Sequence, residues 1–487
     1  MKRTLVAMLV ATFSLAGCLD VEHEPFDIEG NDDSTVESTD GKSDGTCKVA
    51  AVEERAYGGT LLLPTGSKKG YVVVKNEIIT AVVDTIDQVP PTAKVIETDS
   101  IISPGFIDLH NHVAYNFLPL WNSGRKWDNR YQWARAKDYG TYVKTPYNAV
   151  KGANHMCEAL KYGEYRAAVG GTTSIQGSVD LKCARSYVRN VEFYNFCQDK
   201  VRQNVLAISS ITPEEAAEIN AQYANGKTAA FLVHLAEGID DASRAEFEQL
   251  RGLGLLKPQT VGIHSTALTD AQLQEMGKIG MKIVWSPLSN IMLYGKTTNI
   301  PAAVKAGVKV ALAPDWAPSG SQNLLGELKV ADRVNKEQWG RFLTDKQLWE
   351  MATSNPADIV GLGDKIGRIA PGYYADLVFI KGPKSRPYRT IIDAKPDAVL
   401  LTLISGKPIY GTTELLAMHE VKTFTTVDAC GSSRGLVDQD PAQVLGTQTL
   451  ADVTATFTKD GVKDIIPFFQ CGAPPEWAFP PASSAGM

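Results

Sequence analysis

The chain has 487 residues, 44% hydrophobic and 21% charged, a composition that buries a large core and excludes a disordered, collagen-like or multi-span membrane protein. Its net charge of −6 is uneven: residues 1–17 carry Lys2 and Arg3, residues 19–46 carry ten acids against Lys42 alone, and the remaining body sums to +1. No cationic surplus is left to neutralise phosphates, which argues against a nucleic-acid partner.

The basic pair Lys2-Arg3 precedes Thr4–Ser14, an apolar run too short to span a bilayer. Leu15-Ala16-Gly17-Cys18 resembles the bacterial lipoprotein cleavage box. The resemblance implies cleavage before Cys18 and acylation of that cysteine, an ordinary secretory signal being the alternative. Leu19 rather than an aspartate follows, so the expected location is exported and lipid-anchored to a bacterial membrane, the outer one. Residues 1–17 then form a signal peptide. Residues 18–46, acidic and poor in large apolar side chains, form a disordered tether in which His23 is inert. Six further cysteines remain: Cys47, Cys157, Cys183, Cys197, Cys430 and Cys471. An even set in an exported chain permits disulfides in any of several pairings. Cys47, Cys430 and Cys471 flank the core and are the preferred structural cysteines. The absence of a CxxC spacing argues against a thiolate metal site.

From Lys48 to Ile102, Gly and Pro punctuate short β-type runs such as 59–64, 70–75 and 78–83. Similar runs return at 375–380 and 399–404, so a small sheet built from both ends encloses a central domain. Between them, apolar strands at 106–109, 172–176, 205–209, 230–235, 261–264, 282–285 and 308–313 alternate with helical stretches such as 155–169, 213–224, 241–252 and 270–280. A weak strand at 191–193 would make eight. That alternation predicts an α/β fold, a (β/α)8 TIM barrel. The expected limits are 47–103 and 366–411 for a β-sandwich, 104–365 for the barrel, and 412–487 for a C-terminal extension with a helix at 450–459.

The chemistry falls where strands end. His110 and His112 follow the first strand, and residues two apart in extended chain point the same way, so both can grip one ligand. His234 with Glu237, then His264, then Asp315 end later strands, on the face where barrels place active sites. Imidazoles with one hard carboxylate suit Zn²⁺ or Fe²⁺.

Five stretches carry a family resemblance: Pro104-Gly105-Phe106-Ile107-Asp108-Leu109-His110-Asn111-His112, His234-Leu235-Ala236-Glu237, Ser286-Pro287-Leu288-Ser289-Asn290, Ala313-Pro314-Asp315 and Met351-Ala352-Thr353-Ser354-Asn355-Pro356-Ala357. With Gly367–Leu377 they resemble the amidohydrolase superfamily, in its cytosine deaminase and triazine hydrolase branch, over about Lys48 to Gly411. The resemblance implies that His110, His112, His234 and Asp315 ligate one divalent metal ion, Zn²⁺ ahead of Fe²⁺. It places His264 beside the metal and makes Glu237 the proton shuttle, with Asp315 also catalytic as acceptor of the attacking water's proton. Binuclear relatives add a lysine at the end of strand four, and the candidate segment 204–210 has none, which favours a single ion.

The implied function is a metal-dependent hydrolase of a carbon–nitrogen bond other than a peptide bond, foremost the deamination of a ring amine. Hydrolysis of a cyclic or linear amide, or a non-catalytic metal-containing binding lipoprotein, are the alternatives. The expected partners are a planar nitrogen compound and, through acylated Cys18, a lipid membrane. Trp127 and Arg130, in the long loop after the first strand, either lid a planar ring or pack that loop down. Asn290 either meets substrate or caps a helix. His155 is expected to be structural, and His419 is assigned no role.

Overall fold

A computed structural model describes residues 53–178, 183, 187–192, 194–196, 198–204, 207–437 and 448–472. The signal segment, Cys18, the tether with His23, Cys47, Cys197 and the Pro-rich tail lie outside the described residues. Among those described, no helix is long and apolar enough to cross a membrane.

The chain opens with β1 (Arg55–Leu63), β2 (Gly66–Lys75), β3 (Ile78–Val83) and β4 (Lys94–Pro104). Near the other end come β13 (Leu377–Ile380), β14 (Val399–Ile404), β15 (Lys407–Gly411), β16 (Thr425–Asp428) and β17 (Ser433–Leu436). All nine join one sheet in the order β16-β17-β15-β14-β13-β4-β1-β2-β3. It runs antiparallel except between β1 and β4. Alternation, interrupted by β-bulges, divides its side chains. Tyr57, Leu61, Val72, Leu377, Phe379 and Leu401 share one core, whereas Leu62, Ile101, Val378 and Val399 face the main core. The sheet runs further along the chain than the expected limit at residue 411.

The middle of the chain supplies eight short strands. β5 (Phe106–Asp108), β6 (Thr172–Ile175) and β7 (Arg189–Asn190) form a parallel sheet of three. β8 (Val201–Asn204), β9 (Ala230–Leu235), β10 (Thr260–His264), β11 (Lys282–Trp285) and β12 (Lys309–Leu312) form a parallel sheet of five. β5, β6, β9 and β10 are buried on both faces, as parallel strands under helices are. Ile107, Leu109, Leu232, Ile263, Val284 and Ala311 pack with one another, while Phe231, Val233, Ile283, Val310 and Leu312 face the helical layer. Past the strand ends the first and last segments meet: His112 N donates to Asp315 O at 2.9 Å and Asp315 N to His110 O at 3.1 Å.

Helices at Pro213–Ala224, Asp241–Gly252 and Asp270–Ile279 fall where the periodicity places them. Thr212, Asp240 and Thr269 cap them by accepting from the backbone N–H three residues on. One strand is displaced. The fourth strand of this series, β8, lies at Val201–Asn204, ahead of the expected 205–209; residues 205 and 206 lie outside the described residues, and Ile208–Ser210 is a 3₁₀ turn leading into the Thr212 cap. The strand is less apolar than its neighbour because Arg202 faces outward to Glu215 and Glu218 of the next helix. It contains no lysine.

Two disulfides, Cys157–Cys183 and Cys430–Cys471, are described. The second joins two of the three preferred cysteines. His155 pairs with Asp460 at 2.7 Å, and Phe457 stacks on Phe117, so the helix Leu450–Lys459 is fastened to the central domain.

Candidate active site

The turn after β5 is built by Asp108. One carboxylate oxygen accepts from His110 N (3.1 Å) and the other from Asn111 Nδ2 (2.7 Å). Asn111 Oδ1 then accepts from Asn116, whose own Oδ1 accepts from Ala317 N. The loop after β5 is thereby locked to the loop after β12. After β6, Gly177 lets that segment also approach the β5 loop, since a Cβ there would lie 1.6 Å from Asn111 O.

Backbone strain aims the remaining side chains. Ala236, His264, Ser265 and Asp315 have φ of 52°, 62°, 56° and 73°, a left-handed conformation costing non-glycine residues about 1 kcal/mol or more each. Strain of this kind collects at functional sites. At β10, Ile263 packs with the inner cluster, and the turn at His264 brings the next side chain to the same side.

The five residues expected at the centre come together. Ring centroids of His110 lie 5.0, 4.7 and 5.1 Å from those of His112, His234 and His264. Asp315 Oδ1 lies 3.1 Å from His110 Nε2 and 3.3 Å from His112 Nε2, and its Oδ2 lies 4.0 Å from His264 Nε2. Ligand atoms of His110, His112 and His234 lie within 4.8 Å of one another, as do those of His110, His264 and Asp315, and of His234, Glu237 and His264.

This donor set fits a divalent ion. Burial depresses His110 to about 4 and His234 well below its usual value, so both imidazoles are neutral lone-pair donors near pH 7. Burial alone would raise Asp315, but the imidazoles of His110, His112 and His264 hold it well below the usual carboxylate range. His110 Nδ1 and His234 Nδ1 are buried without a hydrogen-bond partner, unusual for buried polar atoms and fitting for a site that takes a ligand.

Around this centre are residues the sequence did not single out. Glu237 Oε1 accepts from Tyr294 Oη at 2.6 Å, and Tyr294 Oη accepts from Trp133 Nε1 at 2.8 Å. Trp316 meets His112 edge to face at 5.6 Å and Tyr115 at 5.5 Å, and Tyr115 stacks on Tyr147 at 3.9 Å. These aromatics are separated widely in sequence, and only the occurrence of Trp316 beside Asp315 hinted at them.

The three residues considered for substrate contact all have protein partners. Arg130 is buried, with Nη1 3.6 Å from Glu237 Oε2 and Nη2 3.1 Å from Glu246 Oε1. Asn290 is buried, with Oδ1 2.9 Å from His264 Nδ1 and Nδ2 directed at Thr297 and Thr298. Trp127 is buried beside Trp121, with Arg125 3.6 Å over its ring. The loop carrying Trp127 and Arg130 is strapped to the segments that follow β9 and β11: Ile239 N donates to Asp128 O and Trp127 N to Leu293 O.

The sequence matches the amidohydrolase family over residues 101–409. This chain belongs to the amidohydrolase family. It is 23% identical over 415 residues to the 5-methylthioadenosine/S-adenosylhomocysteine deaminase of Caldicellulosiruptor saccharolyticus, covering 74% of this chain and 94% of that protein. It is 23% identical over 425 residues to the 5'-deoxyadenosine deaminase of Methanothermobacter thermautotrophicus, covering 77% and 97%. The adenosine deaminase from Xanthomonas campestris with bound zinc shares the fold, with a TM-score of 0.64 at 16% identity, covering 84% and 98%. This amidohydrolase is a metal-dependent hydrolase acting on carbon–nitrogen bonds, as its strand-end residues led us to expect.

Proposed function

We propose that this amidohydrolase deaminates a planar ring amine, replacing an exocyclic amino group with oxygen and releasing ammonia. In this reading His110, His112, His234 and Asp315 hold one divalent ion, zinc ahead of iron. The observation that carries it is Glu237, whose Oε2 lies 3.8 Å from His264 Nε2 within the same buried cluster. A proton donor placed there serves a ring nitrogen, which must be protonated as its neighbouring carbon is attacked. The deaminases among the relatives support the same reading.

When bound, the ion supplies Lewis acidity that lowers the pKa of a coordinated water toward about 7. Asp315 takes a proton from the water as its oxygen bonds to the ring carbon. Glu237 gives a proton to the adjacent ring nitrogen, and His264, held through Nδ1 by Asn290, orients the water from its Nε2 side. The amino group then takes the proton from Asp315 and leaves as ammonia with the C–N electron pair. The new hydroxyl returns a proton to Glu237 and becomes the carbonyl.

The eight parallel strands and the bonds between the β5 and β12 ends support a closed (β/α)8 barrel over 104–365. The terminal sheet supports a β-sandwich built from both ends of the chain, its second part continuing past the expected limit at 411 to Leu436. We also read residues 1–17 as a signal peptide and Cys18 as an acylated anchor in the outer membrane, a reading that two disulfides of an oxidising compartment support.

The test is ammonia release by metal-reconstituted protein from aminopurines, aminopyrimidines and aminotriazines. We expect turnover of at least one class and its loss in His234→Ala. Ring or amide opening without ammonia would overturn deamination. For the anchor, palmitate labelling should require Cys18 and vanish in Cys18→Ser.

A further inference from the structure

Glu237 is flanked on both sides, at Oε1 by Tyr294 and at Oε2 by Arg130. Trp133 Nε1 can only donate, so the 2.8 Å contact makes Tyr294 Oη an acceptor there. Burial raises the Tyr294 hydroxyl well above its ordinary value, so it keeps its proton. Glu237 Oε1, at 2.6 Å, is where that proton points. The second carboxylate oxygen is left differently: Oε2 lies 3.6 Å from Arg130 Nη1 and 3.8 Å from His264 Nε2. Burial works against the charge on Arg130, but Glu246 and Glu237 more than offset this and it stays a cation. Glu246 is anchored in turn, its other oxygen accepting from Ala236 N at 2.7 Å.

We infer that Trp133, Tyr294 and Arg130 are positioning residues that make Glu237 one-sided, pinning Oε1 as a pure acceptor and reserving Oε2 for proton exchange with substrate. The inference rests on the deaminase reading above and deepens it. The physical reason is directional. A carboxyl group protonated on Oε1 would face a hydroxyl whose proton already occupies that line, so the transferable proton resides on Oε2. The strap residues 128–130 therefore have a catalytic consequence, since Arg130 reaches Glu237 and Glu246 from that strap.

Tyr294→Phe removes one oxygen atom and frees the carboxylate to rotate. The expected result is a fall in kcat of about 100-fold with KM within about 3-fold, since misplacement by about 1 Å costs a factor of that order. Bound metal per chain should be unchanged. In a Glu237→Gln background the same substitution should cost nothing further. Trp133→Phe should lower kcat by about 10-fold, because Tyr294 loses only the donor that orients it. An undiminished kcat in Tyr294→Phe, or the same loss with and without Glu237, overturns the inference. A crystal structure of Tyr294→Phe reads the device without turnover: Glu237 should leave its place beside His264, and an unmoved carboxylate refutes positioning. Absence of ammonia from wild type on every ring amine would instead refute the deaminase reading.

Discussion

Two buried histidines in this molecule are shifted in the same direction by burial and have opposite meanings. His419, beside the terminal sheet, and His110, at the end of β5, are both depressed to about 4 by burial. His419 Nε2 meets Tyr57 Oη at 2.9 Å and its Nδ1 meets Leu415 O at 2.7 Å, so both nitrogens are used. His110 Nδ1 and His234 Nδ1 have no partner, and their rings converge with two more. Burial and a displaced pKa therefore do not mark a functional histidine. Convergence of several imidazoles and a carboxylate within reach of one ion does.

Breaking the convergent cluster should give the largest effect. Asp315→Asn is expected to lower kcat at least about 1,000-fold and to reduce bound metal measured by elemental analysis, because it removes both a ligand and the water's proton acceptor. His419→Phe, equally buried, should leave kcat unchanged. It strands the Tyr57 hydroxyl, which should cost about 1–3 kcal/mol in chemical denaturation. A loss of turnover with intact stability in that variant would erase the distinction.

Chelation sharpens the comparison further. Removing a ligand that binds only the folded state lowers stability by about 2.7 kcal/mol when its concentration was 100 times Kd. A chelator should lower the melting temperature of wild type and leave Asp315→Asn nearly unmoved.

A test that leaves the convergent cluster alone uses Glu164, a buried carboxyl. It accepts from Val188 N (3.0 Å), Tyr187 N (3.3 Å) and Ser178 Oγ (3.3 Å), and burial pushes it up to about 8. Its folded pKa exceeds its unfolded one of about 4.3, so the folded chain holds the proton more tightly. That contribution is complete below about pH 4.3 and is lost as pH rises through about 8. Melting temperature should fall more steeply with pH in wild type than in Glu164→Gln. Equal slopes would exclude this carboxyl as the cause.

Much of the parallel region was legible because strands buried on both faces read as apolar runs and helices carry their own caps, as at Thr212 and Thr269. The exception is instructive. The run at 205–209 is more apolar than Val201–Asn204, yet the latter pairs with β9, because the Thr212 cap and its turn claim the residues before the helix. Within the site, His110 and His112 were legible from their two-residue spacing. Arg130, considered for substrate, sits against Glu237 and Glu246, and Asn290 braces His264. Both partnerships join loops from different strands, and no local pattern records them. Tyr294 was invisible for the same reason, its bond to Glu237 joining segments far apart in the chain.

The amino-acid order by itself determined the kinds of element, their alternation, and which imidazoles and carboxylates stand at strand ends, since side-chain period and capping act over a few residues. Tertiary structure alone decided which lone pairs go unsatisfied, which oxygen of Glu237 stays open, and that His419 is ordinary. Those outcomes depend on partners brought from distant segments, and a hydrogen bond exists only once both ends have been placed.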